Sequence, residues 1–210
     1  SSSTISGDIF MRSIKGKINS QSSGGSINLI DVEGEEINCR SSGGHVKSTN
    51  MSSKKAVLHS LGKGLFIHKA EGDLTLRSNG GPIDIKDIRG SLKCEASSGD
   101  VKMAEIASRV ECINAMGDIA LELLHDSSIE DYNVHLETHF GDVILDISKR
   151  IRGDITSKIY QPNSVKDLNS EIPLLIRMDN DKVIGTSLDD IGTVPINIEA
   201  YNGTITIKES

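Results

Sequence analysis

Aromatic residues are scarce in this chain of 210 residues, which has no tryptophan and only 3% aromatics in total. Large aromatic side chains usually dominate a deep globular core, so the sequence predicts a thin interior of Ile, Leu, Val and Ala instead. No row of aromatic residues offers a platform on which a sugar could stack. No apolar run is long enough to cross a bilayer, and no signal-peptide pattern is present. The net charge of −7 disfavours nucleic acid as a partner, because such binding requires basic patches.

The motifs of common enzyme classes are missing as well. The sequence has no G-x-S-x-G, no P-loop and no paired C-x-x-C arrangement. The segment from His135 to His139 is not H-E-x-x-H and lies on a strand pattern, so we interpret it as a chance pair of surface histidines. We therefore predict no catalytic residues and no cofactor. The alternative is a polysaccharide-acting enzyme, whose acids and bases would lie in residues 158–194 or in an insertion near His125 and Asp126.

What the sequence does contain is a repeat. Branched apolar residues recur in two interleaved series, in which most steps are 18 or 19 residues. A fixed period of this kind marks a stacked-repeat architecture. One step of 24 interrupts each series at the same place, which predicts an insertion near residues 123–128. The first series is Ile9, Ile27, Val46, Leu65, Ile83, Val101, Ile119 and Val143, and the second is Ile18, Ile37, Ala56, Leu74, Leu92, Val110, Val134 and Ile155.

Each unit of the repeat is a short strand. The apolar residues occur at i and i+2, as at Ile27 and Leu29, which is the period of a strand and not of a helix. A glycine usually precedes the strand by two positions, as Gly25 does, and predicts a corner. Two strands and two corners make one coil, so residues about 18 apart should lie in register on neighbouring coils. The sequence therefore predicts an all-β fold, a single parallel β-solenoid, and the general preference of parallel crossovers favours the right-handed form.

The regularity of the repeat varies along this one domain. Residues 1–157 carry the regular repeats, apart from the insertion. Residues 158–194 lose the period and contain two of the four prolines, so we interpret them as an irregular or capping segment with loops of its own. Residues 195–210 hold a terminal strand pair, with Ile196 and Ile198 on one strand and Ile205 and Ile207 on the next.

The three cysteines take inward strand positions. Cys39, Cys94 and Cys112 each stand two residues after a second-series residue, where other coils have leucine. Free cysteine packs as a small hydrophobic residue, so we predict buried free thiols, with a Cys94–Cys112 disulfide and a metal site as alternatives. The odd number of cysteines and their inward direction favour a reducing compartment.

A second set of residues could hold a cation. Asp100, Asp118 and Asp142 each follow a glycine and should fall on consecutive coils at one corner. Stacked carboxylates repel each other unless a cation lies between them, and oxygen ligands suit Ca²⁺. The alternative is turn chemistry, in which each carboxylate accepts hydrogen bonds from nearby backbone N–H groups. The calcium-binding nonapeptide G-G-x-G-x-D is absent, so we predict no metal site and keep these three residues as its candidates.

Several stretches of the sequence resemble a known family. SSGGSINL, SSGGHVKS, AEGDLTLRSNGGPIDIKDIRGSLKCEASSGDVKM and FGDVILDI are similar to the adhesin-like β-solenoid family, a domain of unknown function in bacteria and eukaryotes. The resemblance covers most of the chain and implies a β-solenoid fold. It carries over no catalytic motif, so the function that it implies is a non-catalytic structural or protein-interaction module, adhesin-like, with an unknown partner.

A protein partner is expected at the ends of the solenoid or at residues 158–194, because the end coils expose unpaired strand edges. The pattern starts at Ile5 and Ile9 without a visible cap, which favours a homo-oligomer through the N-terminal coil. The chain begins with serine rather than methionine, so an upstream anchor, signal or transit segment is one expectation. The location stays open: the cell envelope or the exterior for a bacterial protein, an organelle such as the mitochondrion for a eukaryotic one.

Overall fold

The structure is a computed structural model that describes residues 1–129, 132–188 and 194–210. Its 17 strands belong to one sheet and pair in parallel except around one late hairpin, which confirms the predicted β-solenoid. A short 3-10 helix spans Val165–Asp167. The strands are β1 Ser2–Thr4, β2 Ile9–Lys15, β3 Ile18–Ser22, β4 Ile27–Ser41, β5 Val46–Ser60, β6 Leu65–Ser78, β7 Ile83–Ala96, β8 Val101–Met116, β9 Ile119–Leu123, β10 Val134–Phe140, β11 Val143–Ile147, β12 Gly153–Ile159, β13 Leu168–Ser170, β14 Leu174–Asp179, β15 Lys182–Ser187, β16 Val194–Asn202 and β17 Ile205–Glu209.

Residues one period apart lie beside each other on neighbouring coils, as predicted. Val46 pairs in register with Ile27 on one side and with Leu65 on the other. Ala56 and Leu74 do the same in the second series. All five side chains are buried. Because neighbouring strands are about 4.8 Å apart, these residues form continuous apolar rows along the axis, and the rows make up the core.

The two predicted strand segments of each central coil are joined into one long strand that bends in the middle. In β6 the bend lies at Lys69, which has a φ of 62°. The bend adds an inward position, taken by Ala70 in this coil and by Ile88 in the next, which the period-2 pattern did not identify. The residues with positive φ at these bends are here called the arch residues, and they are Ser13, Asp31, Asn50, Lys69, Asp87 and Glu105.

The glycines that stand two residues before the first-series strands are explained by the close approach of neighbouring coils. At Gly25 an added Cβ would lie 2.2 Å from the carbonyl oxygen of Gly7, one coil earlier. At Gly44 it would lie 2.5 Å from the carbonyl oxygen of Gly25. Neither Gly25 nor Gly44 has a positive φ. The glycine pattern predicts corners with backbone angles that other residues avoid, and that prediction is wrong at these two positions.

Buried serines complete this corner. The hydroxyl of Ser41 donates to the carbonyl oxygen of Gly25 at 2.8 Å and accepts from the N–H of Gly44 at 2.9 Å. Ser60 repeats the pattern one coil later, donating to the carbonyl oxygen of Gly44 at 2.9 Å. These bonds satisfy polar groups that the apolar interior would otherwise leave unpaired.

The C-terminal strands lie between two earlier coils and not at the end of the stack. Ile196 of β16 pairs with Val134 of β10 on one edge and with Ile155 of β12 on the other. In the same way, β17 lies between β11 and β13. The repeat series predicted that Ile155 lies directly beside Val134. That prediction is wrong, because Ile196 occupies the place between them.

The two ends of the solenoid are built differently. At the N-terminal end, β2 pairs along one edge with β4, and its Phe10 is 60% exposed. At the other end, β14 and β15 form an antiparallel hairpin, and β15 pairs antiparallel with β12. This hairpin falls within the predicted irregular segment 158–194, of which residues 189–193 lie outside the described residues.

Candidate functional site

The three aspartates predicted as metal candidates are brought together at one corner. The backbone N–H of Asp118 donates to the carboxylate of Asp100 at 3.1 Å, and that of Asp142 donates to Asp118 at 2.8 Å. The carboxylate of Asp142 accepts from the N–H of Thr204 at 2.7 Å. In the described part of the chain, no group of three or more His, Cys, Asp or Glu side chains is arranged to hold a metal ion. The carboxylates thus make the hydrogen bonds of turn chemistry, from each coil to the next.

The predicted insertion follows β9, and Asp126 ties it to the body of the solenoid. The Asp126 carboxylate accepts from the Arg89 guanidinium at 3.1 Å, and from the N–H and hydroxyl of Ser128 at 2.9 and 2.7 Å. The hydrogen bonds from Ser128 and then Arg89 lower the pKa of Asp126 to about 2. A carboxylate held so firmly in its charged form is a poor general base near neutral pH. The nearby His125 stacks on Tyr132, with ring centroids 6.5 Å apart.

A polar cluster on one outer face is the feature that sequence analysis missed. The rings of Tyr160 and Tyr201 stack 4.4 Å apart with an interplanar angle of 9°. His139 contacts Tyr201 edge-on at 4.9 Å, and the ammonium group of Lys182 lies 4.5 Å from the centre of the Tyr160 ring. Hence His139 is not an isolated surface histidine but one end of a column of side chains. The polar cluster comprises Glu137 and His139 of β10, Glu199 and Tyr201 of β16, Lys158 of β12, Tyr160 just after it and Lys182 of β15.

Hydrogen bonds shift the pKa values of Glu199 and Tyr160 in this polar cluster. Glu199 accepts from the Tyr160 hydroxyl at 2.7 Å and from the Lys158 ammonium at 3.2 Å. Partial burial acts to raise the pKa of Glu199, but these two bonds and nearby positive charge lower it overall. The bond to Glu199 is also the main reason why the pKa of Tyr160 is raised. Because the rings of Tyr160 and Tyr201 cover each other, we interpret the cluster as one that stabilises the inserted strand β16 between β10 and β12.

The cysteines are free and buried, as predicted. Cys94 and Cys112 lie in register on neighbouring coils. Burial raises the pKa of Cys39 to about 12, and the hydrogen bond with Cys112, together with burial, raises that of Cys94. Since the thiolate is the reactive form, thiols in this environment are poor nucleophiles.

Strand β14 exposes apolar side chains on both of its faces. Leu175 and Met178 are 56% and 55% exposed, and Ile176 is 36% exposed. Met178 pairs with Val183 and Ile176 with Gly185, both of which are buried and belong to the inner face of β15. Paired residues lie on the same face of a sheet, so Ile176 and Met178 continue the inner face beyond the end of the core. Among the described strands, only β15 pairs with β14.

Comparison with known families identifies the class of this protein. The sequence model of the Toastrack family, DUF4097, matches residues 1–104 and, in a second overlapping match, residues 67–171. The two matches cover more than half of the chain, so the chain belongs to the Toastrack DUF4097 family, a domain of unknown function with a β-solenoid-like fold. No curated protein and no solved structure gave a significant match. None of the described residues form a helix that is long and apolar enough to span a membrane.

Proposed function

We propose that this protein is a non-catalytic protein-interaction module, which binds an extended segment of a partner protein by strand addition to β14. The observation that carries the proposal is the free edge of β14 together with its exposed apolar side chains. In strand addition, main-chain hydrogen bonds provide affinity, and the alternation of side chains provides specificity.

Of the strands that the structure describes, none packs opposite the inner face of β14. The last strand on that side, β13, pairs with β17, and Leu168 of β13 packs near Gly185 of β15. β14 lies one strand further out than β15, which is why Ile176 and Met178 are exposed although they continue a buried row. A strand added to the free edge of β14 would place its own inward side chains next to these two residues and remove them from water.

The outer face of β14 defines the other half of the partner's pattern. Leu175, Arg177 and Asp179 alternate with the inward residues and are all exposed. Opposite charges across neighbouring strands are each worth roughly 0.2–1 kcal/mol. We therefore propose a partner segment with apolar residues at alternate positions facing inward and with polar or charged residues on its outer face.

The test is selection of random 12-residue peptides displayed on phage against the full chain. Selected peptides should show apolar residues at alternate positions, and their binding should be lost in Ile176→Lys. Phe10→Lys is the matched control, because Phe10 is also an exposed apolar residue but lies at the opposite end of the solenoid. Hydrogen exchange with the peptide bound should show new protection within residues 174–179. Selected peptides without the alternation, or binding lost in Phe10→Lys and kept in Ile176→Lys, would contradict the proposal.

The adhesin-like role implied by the sequence resemblance is a special case of this proposal, in which the partner belongs to another cell or surface. A polysaccharide-acting enzyme, the alternative, would have some of its catalytic acids in the insertion. There the Asp126 carboxylate already accepts hydrogen bonds from Arg89 and Ser128. The matched family carries no assigned activity. Both considerations favour the interaction module.

A further inference from the structure

A groove crosses the outer face of the three coils built by β5, β6 and β7. Its volume is about 460 Å³, and Phe66 lies at its centre with Lys47 on one side and Asp84 on the other. His68 and Lys86 line the neighbouring row. These five residues define the Phe66 groove, which is distinct from the β14 edge.

Two lysines flank the Phe66 groove, on a protein with a net charge of −7. Lys47 and, beyond Asp84, Lys102 flank it along the axis, since Lys102 pairs in register with Asp84. Within the described residues, neither Lys47 nor Lys102 has a carboxylate within 4.0 Å, whereas Lys86 is paired with Glu105 at 2.8 Å. Two ammonium groups are therefore available to an anionic ligand, one beside the Phe66 ring and the other beyond Asp84.

The ring of Phe66 is held in place but not fully covered. The ammonium group of Lys47 lies 5.3 Å from the ring centre, and His45 contacts the ring edge-on at 5.9 Å. Burial and the positive charges of Lys47 and Lys63 lower the pKa of His45, so near neutral pH the imidazole adds little charge beside the ring. Phe66 is half-buried and offers an apolar contact between the two lysines.

The spacing of these groups fits one kind of ligand. Lys47 and Lys102 are three coils apart, which is roughly 14 Å at about 4.8 Å per strand. An extended peptide rises about 3.3 Å per residue and turns every second side chain to the same face. Residues i and i+4 thus span about 13 Å, and residue i+2 lies about 7 Å from Lys47, between Phe66 at about 5 Å and Asp84 at about 10 Å. Asp84 beside the ring disfavours an acid at this central position.

We infer that the Phe66 groove binds an acidic peptide segment of the pattern Glu-x-Leu-x-Glu, with Asp equivalent to Glu and other apolar residues equivalent to Leu. The two carboxylates pair with Lys47 and Lys102, and the central side chain packs on Phe66. The positive charges of Lys47 and Lys102 also increase the rate of encounter with acidic segments at low salt.

Fluorescence anisotropy with the full chain tests the inference. The probes are a labelled peptide with one Glu-x-Leu-x-Glu unit and its Lys-x-Leu-x-Lys counterpart. The acidic peptide should bind more tightly, and Lys47→Glu or Lys102→Glu should each weaken it about three- to tenfold, with a shallower salt dependence. Lys166→Glu is the matched control, because it makes the same change of net charge at an exposed site in the 3-10 helix.

A second pair of peptides tests the contact with Phe66. Replacing the central Leu of the peptide by Ser should weaken binding to the native protein, and the difference should vanish in Phe66→Ser, whose fold is checked by thermal melting. Equal weakening by Lys166→Glu would show that net charge alone is responsible and would overturn the inference. Tighter binding of a sulfated polysaccharide with the same dependence on Lys47 and Lys102 would overturn it in favour of an acidic glycan. Because β14 is not involved, failure here leaves the strand-addition proposal untouched.

Discussion

Replacing an arch residue by glycine should stabilise this protein, and Lys69 is the best position for the change. Lys69 has a φ of 62° and is exposed. Asp31, Asn50 and Asp87 occupy equivalent bends, but Asn and Asp tolerate this left-handed region. A lysine has a Cβ that clashes with the following carbonyl oxygen in this conformation, so it carries more strain.

The magnitude follows from two opposing contributions. The left-handed conformation costs a residue with a Cβ about 1–2 kcal/mol, which Lys69→Gly removes. Glycine loses more conformational entropy on folding, which costs roughly 0.5–1 kcal/mol. The net gain in the free energy of unfolding is therefore about 0.5–1 kcal/mol, or a rise in Tm of roughly 1–4 °C for a chain of this size.

Thermal melting followed by circular dichroism, together with urea unfolding, measures this change. Lys69→Ala is the first control, because alanine keeps the Cβ and should give no such gain. Lys102→Gly is the second, because it changes the same residue type on an extended part of β8; it should lower stability by roughly 0.5–1 kcal/mol. If Lys69→Gly is as destabilising as Lys102→Gly, the bend is not strained and the reasoning is wrong.

Three more predictions concern the core, the polar cluster and the thiols. Leu76→Asp should unfold the central coils, because Leu76 is 0% exposed and a buried, unpaired carboxylate destabilises the fold by at least several kcal/mol. An unchanged melting curve would contradict the register. The folded-state pKa of Glu199 is lowered below 4.5, so its stabilisation is present above that pH and lost as pH falls; the difference in Tm between the native chain and Glu199→Gln should shrink in acid, and a constant difference would contradict this. Cys39, Cys94 and Cys112 should react with a thiol reagent only after denaturation, and labelling of the native protein at the rate of a free thiol would show that the interior is open.

The strand rows were predictable because period 2 and the repeat of about 18 residues act together. A one-residue error in register would turn buried Ile27 and Leu29 outward, so the apolar pattern itself sets the register. The inward Ser41 and Ser60 were not predictable from hydrophobicity, since their burial depends on hydrogen bonds to glycine carbonyl groups of a neighbouring coil. The inward place of Ile88 was missed because the bend at Asp87 shifts the alternation by one residue.

The place of the C-terminal strands could not be read from a periodic pattern. Val134, Ile155 and Ile196 occur in strands of the same type, so each fits beside either of the others. Sequential elements usually lie next to each other, and that preference pointed to Ile155 as the neighbour of Val134. The polar cluster was missed for the same reason, since Glu199 and Tyr160 meet only when β16 lies beside β12.

The insertion of β16 between β10 and β12 links the stability of the proposed partner site to β16. β14 is held by β15, β15 by β12, and the other edge of β12 by β16. A coil at the end of a stack opens by breaking pairs on one edge, whereas β16 must break pairs with both β10 and β12. The contacts of β16 also join segments far apart in sequence, and the entropy of loop closure must be paid before such contacts stabilise the fold. The hairpin that carries the β14 edge is therefore anchored to the body through β12, whose other edge β16 covers, so we expect a change that loosens β16 to loosen the proposed partner site as well.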